Sequence, residues 1–106
     1  MHVLIVNFKL KGIDDAQYAR VCDEVAPAFA AVPGLTSKLW IRNADTGTYG
    51  GVYIFESLDA YKRYEASDLF RSVAAHPNLT SMTATDYEIL EAPTRVTSRA
   101  LTAAVS

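Results

Sequence analysis

The chain has 106 residues, half of them apolar, and a formal net charge of −2. That length supports one core rather than two. The mixed charge has no basic excess of the kind nucleic acid selects, and no apolar run is long enough to span a bilayer, so neither partner is expected. Cys22 is the only cysteine, which excludes an intrachain disulfide and a cysteine metal cluster and agrees with a reducing cytoplasm. The opening "MHVLIVNFKLKG" lacks a basic leader and a small-residue cleavage site, and it reads as a strand rather than a signal peptide.

In chain order, Val3–Leu10 is a β-branched apolar run closed by Lys11-Gly12, the pattern of a first strand. Asp14 opens a helix, because Gln17 three residues later completes a capping box. Tyr18, Cys22, Val25, Phe29 and Val32 recur at helical spacing as one apolar stripe. Pro27 falls inside that stripe and is expected to kink or split the helix; Pro33-Gly34 ends it. A hairpin comes next, turning at "NADTG", where asparagine, aspartate and glycine supply the turn chemistry. Ser57 caps the next helix with Asp59 near its positive end, and Ser67-Asp68 signals a second start before His76-Pro77 stops the helical region. Thr80–Leu90 reads as a long last strand. From Ala92 onward no period is strong, so residues 1–91 are expected to form the domain and 92–106 an arm or tail, with Arg95 and Arg99 placed to clasp a neighbour.

The order β-α-β-β-α-β predicts an α+β, ferredoxin-like domain with a four-stranded antiparallel sheet and the helices on one face. "VLIV", "LWI" and "VYIF" are apolar on both faces, and two helices cover only one. The uncovered face predicts a homodimer that packs sheet against sheet.

A turn centred between Asp45 and Thr46 sets Trp40 opposite Gly51. Lys38, Trp40, Arg42, Tyr49, Gly51 and Tyr53 then share one face, and Leu39, Ile41, Val52 and Ile54 share the other. The first set, aromatic and basic with a side chain missing, reads as a pocket wall; the second reads as plain core. Trp40, Tyr53 and Gly51 suit an aromatic ligand, and equally an aromatic dimer interface. Asn7 interrupts an apolar strand and is either a hydrogen-bond donor to a ligand or an amide paired with a neighbour. His76 is an exposed helix cap, or else a proton acceptor or axial ligand reaching the cleft. Cys22, Tyr61 and Tyr64 read as core, and Asp86 and Glu88 as a solvated edge. No nucleophile triad, phosphate loop or metal-ligand spacing is present.

"VPGLTSKLW", then "GGVYIFES" leading into "LDAYKRY", resembles the YdhR-like monooxygenases of the dimeric α/β-barrel superfamily, which are related to antibiotic-biosynthesis monooxygenases. The resemblance implies a ferredoxin-like protomer that dimerises through its sheet. It also implies sites built from an asparagine on the first strand, a tryptophan, and a tyrosine or histidine. On this chain Asn7, Trp40 and His76 become the catalytic candidates, with Gly51, Tyr53, Phe55 and Tyr49 contacting the substrate. Haem-degrading relatives carry their tryptophan where this chain has Phe55, which departs from that chemistry. The function expected is a cofactor-independent monooxygenase, with no metal, acting on a small electron-rich aromatic or quinol-like compound. The alternatives are a non-catalytic module that binds a small hydrophobic ligand, and a cofactorless cyclase or isomerase.

Overall fold

The computed structural model describes residues 1–98. β1 (His2–Leu10), α1 (Asp15–Ala30), β2 (Leu35–Asn43), β3 (Thr48–Phe55), α2 (Leu58–Glu65), α3 (Asp68–Ala74), β4 (Leu79–Glu88) and α4 (Glu91–Thr97) succeed one another along the chain. The four strands are antiparallel in the order β2-β3-β1-β4, the ferredoxin-like arrangement. No helix among the described residues is long and apolar enough to cross a membrane.

Local chemistry sets most boundaries. Asp14 and Gln17 close both halves of the capping box at the start of α1. Ser57 and Ser67 each accept a backbone N–H at the start of α2 and α3, so the second helical region comes in two pieces as the two serines predict. Pro27 neither splits nor ends α1, which runs on to Ala30. In the hairpin, Asn43 Oδ1 accepts from the amides of Asp45 and Thr46, and Gly47 supplies the left-handed residue (φ +67°) that turns the chain into β3. The part of the sequence expected to be an arm begins with a short helix, α4; Arg95 there pairs with Glu91, while Arg99 lies outside the described residues.

The hairpin register is symmetric about the turn, pairing Asn43 with Thr48 and Trp40 with Gly51. Gly51 in turn pairs with Val6. Leu4, Val6 and Phe8 of β1 therefore share a face with Tyr49, Gly51, Tyr53 and Phe55 of β3. The helices cover that face: α1 lies over β2, α2 over β1 and β3, and α3 beside β4. Phe29, Ala60, Tyr61 and Tyr64 complete an aromatic core against it.

One expectation is reversed here. Leu39, Ile41, Val52 and Ile54 are not the core; they lie on the uncovered face, where Leu39 is 55% exposed and Ile41 38%. Both faces of these strands are apolar, so alternation alone does not say which one the helices choose. β4 also carries an irregularity: between the pairs Asn7–Thr83 and Lys9–Thr80, Ser81 and Met82 both stand opposite Phe8. Ser81 takes up the extra residue with φ +55°.

Candidate functional site

Between the helices and the covered sheet face lies a cavity of about 260 Å³. Its floor is Phe8, Gly50, Gly51 and Tyr53; Tyr18, Cys22, Val25 and Phe29 of α1 form one wall, and Leu69, Val73 and His76 form the other. Lys38 and Trp40 of β2 close one side. A second hollow of about 330 Å³ lies outside it, between α1 and the hairpin, and shares Tyr18, Cys22 and Trp40 as lining. Among the described residues no group of histidines, cysteines and carboxylates could hold a metal ion.

Of the residues singled out from sequence, Trp40, Gly51, Tyr53 and His76 meet at this cavity. Three others do not line it. Asn7 stands in register with Gly50, one position out of phase with Val6 and Phe8, so it belongs to the uncovered face of the sheet. Phe55 is fully enclosed in the core, against Tyr53, Tyr61 and Tyr64. Tyr49 faces the outer hollow, where its hydroxyl donates to Asp15 Oδ1 at 2.8 Å. Arg42 also donates to both Asp15 oxygens, at 2.9 and 2.7 Å. Tyr49's hydrogen bond first, and Arg42's after it, hold the Asp15 carboxyl below its usual range.

Sequence reasoning set Lys38 on the pocket-wall face but gave it no role. Its Nζ lies 3.3 Å from the centre of the Trp40 ring, 3.4 Å from Phe29 and 4.7 Å from Tyr53, a cage of three aromatic faces. Phe29 meets the indole edge-on, with ring centres 5.4 Å apart. Gly51 explains how the lysine stem fits: a Cβ there would sit 3.0 Å from Lys38 Cε and 3.0 Å from Tyr53 Cε1. The glycine leaves room for a cation and a ring together. Gly50 answers a different need, since a Cβ at that position would lie only 1.9 Å from the Val6 carbonyl oxygen.

Burial among the rings lowers the Lys38 amine from its ordinary 10.5 to about 7. Between those values an unfolded chain holds more protons than the folded one, so this group's contribution to stability rises as pH climbs from about 7 toward 10.5. Burial raises the Cys22 thiol and the Tyr53 and Tyr18 hydroxyls, which keeps all three protonated at neutral pH. His76 Nδ1 accepts the backbone N–H of Asn78 at 3.1 Å. A neutral ring held that way carries its proton on Nε2 and offers a donor rather than a lone pair.

The chain is thus a ferredoxin-like domain with a ring-lined cavity between its helices and its sheet. The chain belongs to the family described as "Putative mono-oxygenase ydhR", whose model matches residues 3–100. Among solved structures, a "putative antibiotic biosynthesis monooxygenase" from Deinococcus radiodurans is similar at 20% identity with a TM-score of 0.71, covering 87% of this chain and 95% of that one. SnoaB, a cofactor-independent oxygenase from Streptomyces nogalater, is similar at 23% identity and TM-score 0.66 over 85% and 94% of the two chains. MhuD, a heme-degrader from Mycobacterium tuberculosis solved with two hemes in its active site, gives 18% identity and TM-score 0.68 over 85% and 96%. At these identities the likeness speaks for the fold. A comparison with curated proteins gives no match.

Proposed function

We propose that the chain is a cofactor-independent monooxygenase that oxidises a small, electron-rich phenol or quinol in the cavity beneath α1 and α3. The observation that carries this reading is the cavity itself: about 260 Å³, walled by rings, with few polar tips. That suits one or two fused aromatic rings oriented by a few hydrogen bonds. Trp40, Tyr53 and His76 provide N–H and O–H donors for a substrate oxyanion and for the oxygenated intermediate.

Electron balance narrows the substrate. With no external reductant, the four electrons that O₂ accepts all come from the organic molecule. A ring CH₂ activated by a phenolate becomes a carbonyl, or a hydroquinone becomes a hydroxyquinone, and in each case the second oxygen atom leaves as water. A phenol with a free ortho or para C–H meets the same balance, since its hydroxyl and that C–H become the two carbonyls of a quinone.

Haem chemistry is disfavoured by the donor set. An imidazole that ligates iron donates its other ring N–H, whereas His76 accepts at Nδ1.

The test is oxygen uptake by purified protein with a panel of phenols and dihydroquinones under ¹⁸O₂, expecting one labelled atom in the product and one in water. No uptake across the panel overturns the reading. Unchanged ligand recovered from a tight complex would mark a binding module, and an isomeric product a cyclase.

The uncovered sheet face supports a homodimer. Ile5, Leu39, Ile41, Val52, Ile54 and Tyr87 make it apolar, and Tyr87 is 53% exposed in the single chain. Sedimentation at micromolar concentration is expected to show twice the 11.6 kDa chain mass. Only a species at the chain mass would remove the dimer. The lone cysteine, Cys22, supports a cytoplasmic location.

A further inference from the structure

We propose that Lys38 is the proton acceptor of this site: its amine takes the hydroxyl proton of a phenolic ligand and then, as an ammonium, holds the phenolate against the aromatic cage. The inference deepens the oxygenase reading and rests on it for the oxidation that comes after ionisation, since only the phenolate gives up an electron to O₂ easily.

Three observations converge. The first is position: Lys38 lines the cavity with Trp40 and Tyr53, and no carboxylate lines it with them. A lysine built only to anchor the fold would ordinarily find a carboxylate, and among the described residues Lys38 forms no ion pair with one. Its neighbours are ring faces at 3.3, 3.4 and 4.7 Å.

The second is space. Gly51 holds open the volume that the lysine stem occupies, so the strand is shaped around the amine. The third is chemistry. Besides Lys38, the titratable groups lining the cavity are Cys22 and Tyr18 from α1, Tyr53 from β3 and His76 after α3, while Asp15 and Asp23 of α1 line the outer hollow instead. The thiol and both phenols stay protonated at neutral pH, and His76 offers a donor. That leaves the Lys38 amine as the base in the cavity, and its affinity for a proton, at about 7, matches the task.

The step balances without any other reactant. The amine lone pair forms the new N–H bond, the ligand O–H bond breaks, and a neutral pair becomes an ammonium–phenolate pair with no change in net charge. The ring faces stabilise the ammonium that forms, which an aliphatic cavity would not do. Trp40 thus belongs to the base as well as to the ligand wall.

The experiment needs no turnover. 4-Cyanophenol, largely un-ionised at neutral pH, is added anaerobically to the full-length protein, to Lys38→Met and to Lys38→Arg, and the phenolate absorbance is read. Wild type is expected to lower the phenol's apparent pKa by about 1 to 3 units on binding, and Lys38→Met to leave it unchanged. Lys38→Arg retains a fixed cation with no proton to gain. It is expected to show the phenolate while releasing more protons to a weakly buffered solution than wild type does, because wild type keeps the proton on Lys38.

In parallel, ¹³C-methylated lysines are titrated by NMR, with the Lys38 resonance identified by its loss in Lys38→Met. Its midpoint is expected near 7. A midpoint in the ordinary lysine range, failure of wild type to bind the phenol, or equal phenolate signal in wild type and Lys38→Met overturns the assignment. Phenolate formation without oxygen uptake with any substrate would leave Lys38 as the base and remove the oxygenase reading, so the two fail separately.

Discussion

Gly50→Ala is expected to destabilise the protein by about 3 kcal/mol, lowering its melting temperature by roughly 15 °C. The cause is backbone rather than side-chain crowding. A methyl group at position 50 would meet the Val6 carbonyl oxygen at 1.9 Å and Asn7 Cα at 3.2 Å. β1 cannot withdraw, because it is paired along its length with β3 on one side and β4 on the other. Relief would require breaking ladder hydrogen bonds near the middle of the sheet. Thermal melts of the two proteins check this, and a loss of under about 2 °C would mean that the strands separate more easily than their register implies.

Gly51→Val is expected to act on chemistry more than on the fold. The new Cβ meets the far end of a flexible lysine and the edge of the buried Tyr53 ring, each at 3.0 Å. Lysine can swing away, whereas Tyr53 at 2% exposure has little room, so the expected stability cost is about 1–3 kcal/mol. The functional loss is larger: with Lys38 expelled from its cage, oxygen uptake should fall about 10²-fold, the scale of losing a positioned base. The Lys38 titration midpoint should return toward the ordinary lysine range. Gly51→Ala adds less bulk at the same point and is expected to fall between wild type and valine on both measures. Lost stability with phenol affinity and the Lys38 midpoint intact would show that position 51 serves packing alone.

The difference between these adjacent glycines was only half legible in the sequence. The turn residues and the parity of the loop were enough to place Trp40 opposite Gly51, and the structure has that pair. Carrying the same parity one strand further, through Gly51 to Val6, already puts Asn7 on the other face. Family likeness pointed to Asn7 in spite of that parity. Which face the helices would cover was not legible, since "LWI" and "VYIF" are apolar on both sides and neither carries a polarity signal. Lys38 was legible as part of a pocket wall but not as a caged amine. Its meaning depends on Phe29, which comes from a different element and whose helical spacing fitted simple core packing equally well. The helix caps, by contrast, are local devices, and Asp14, Ser57 and Ser67 were readable where they stand.

The lining shared by the two hollows has a kinetic consequence. Tyr18, Cys22 and Trp40 border both the inner cavity and the outer one, so these side chains form the partition between them. Trp40 is itself 38% exposed, with water on one flank. Traffic across such a partition depends on rotamer hops, which for exposed side chains take picoseconds to nanoseconds, rather than on hinge motions of whole elements, which take microseconds or longer. A gas as small as O₂ passes in the gaps those hops open, while a ring-sized molecule waits for several to coincide. Passage past the indole is therefore expected to be graded by size.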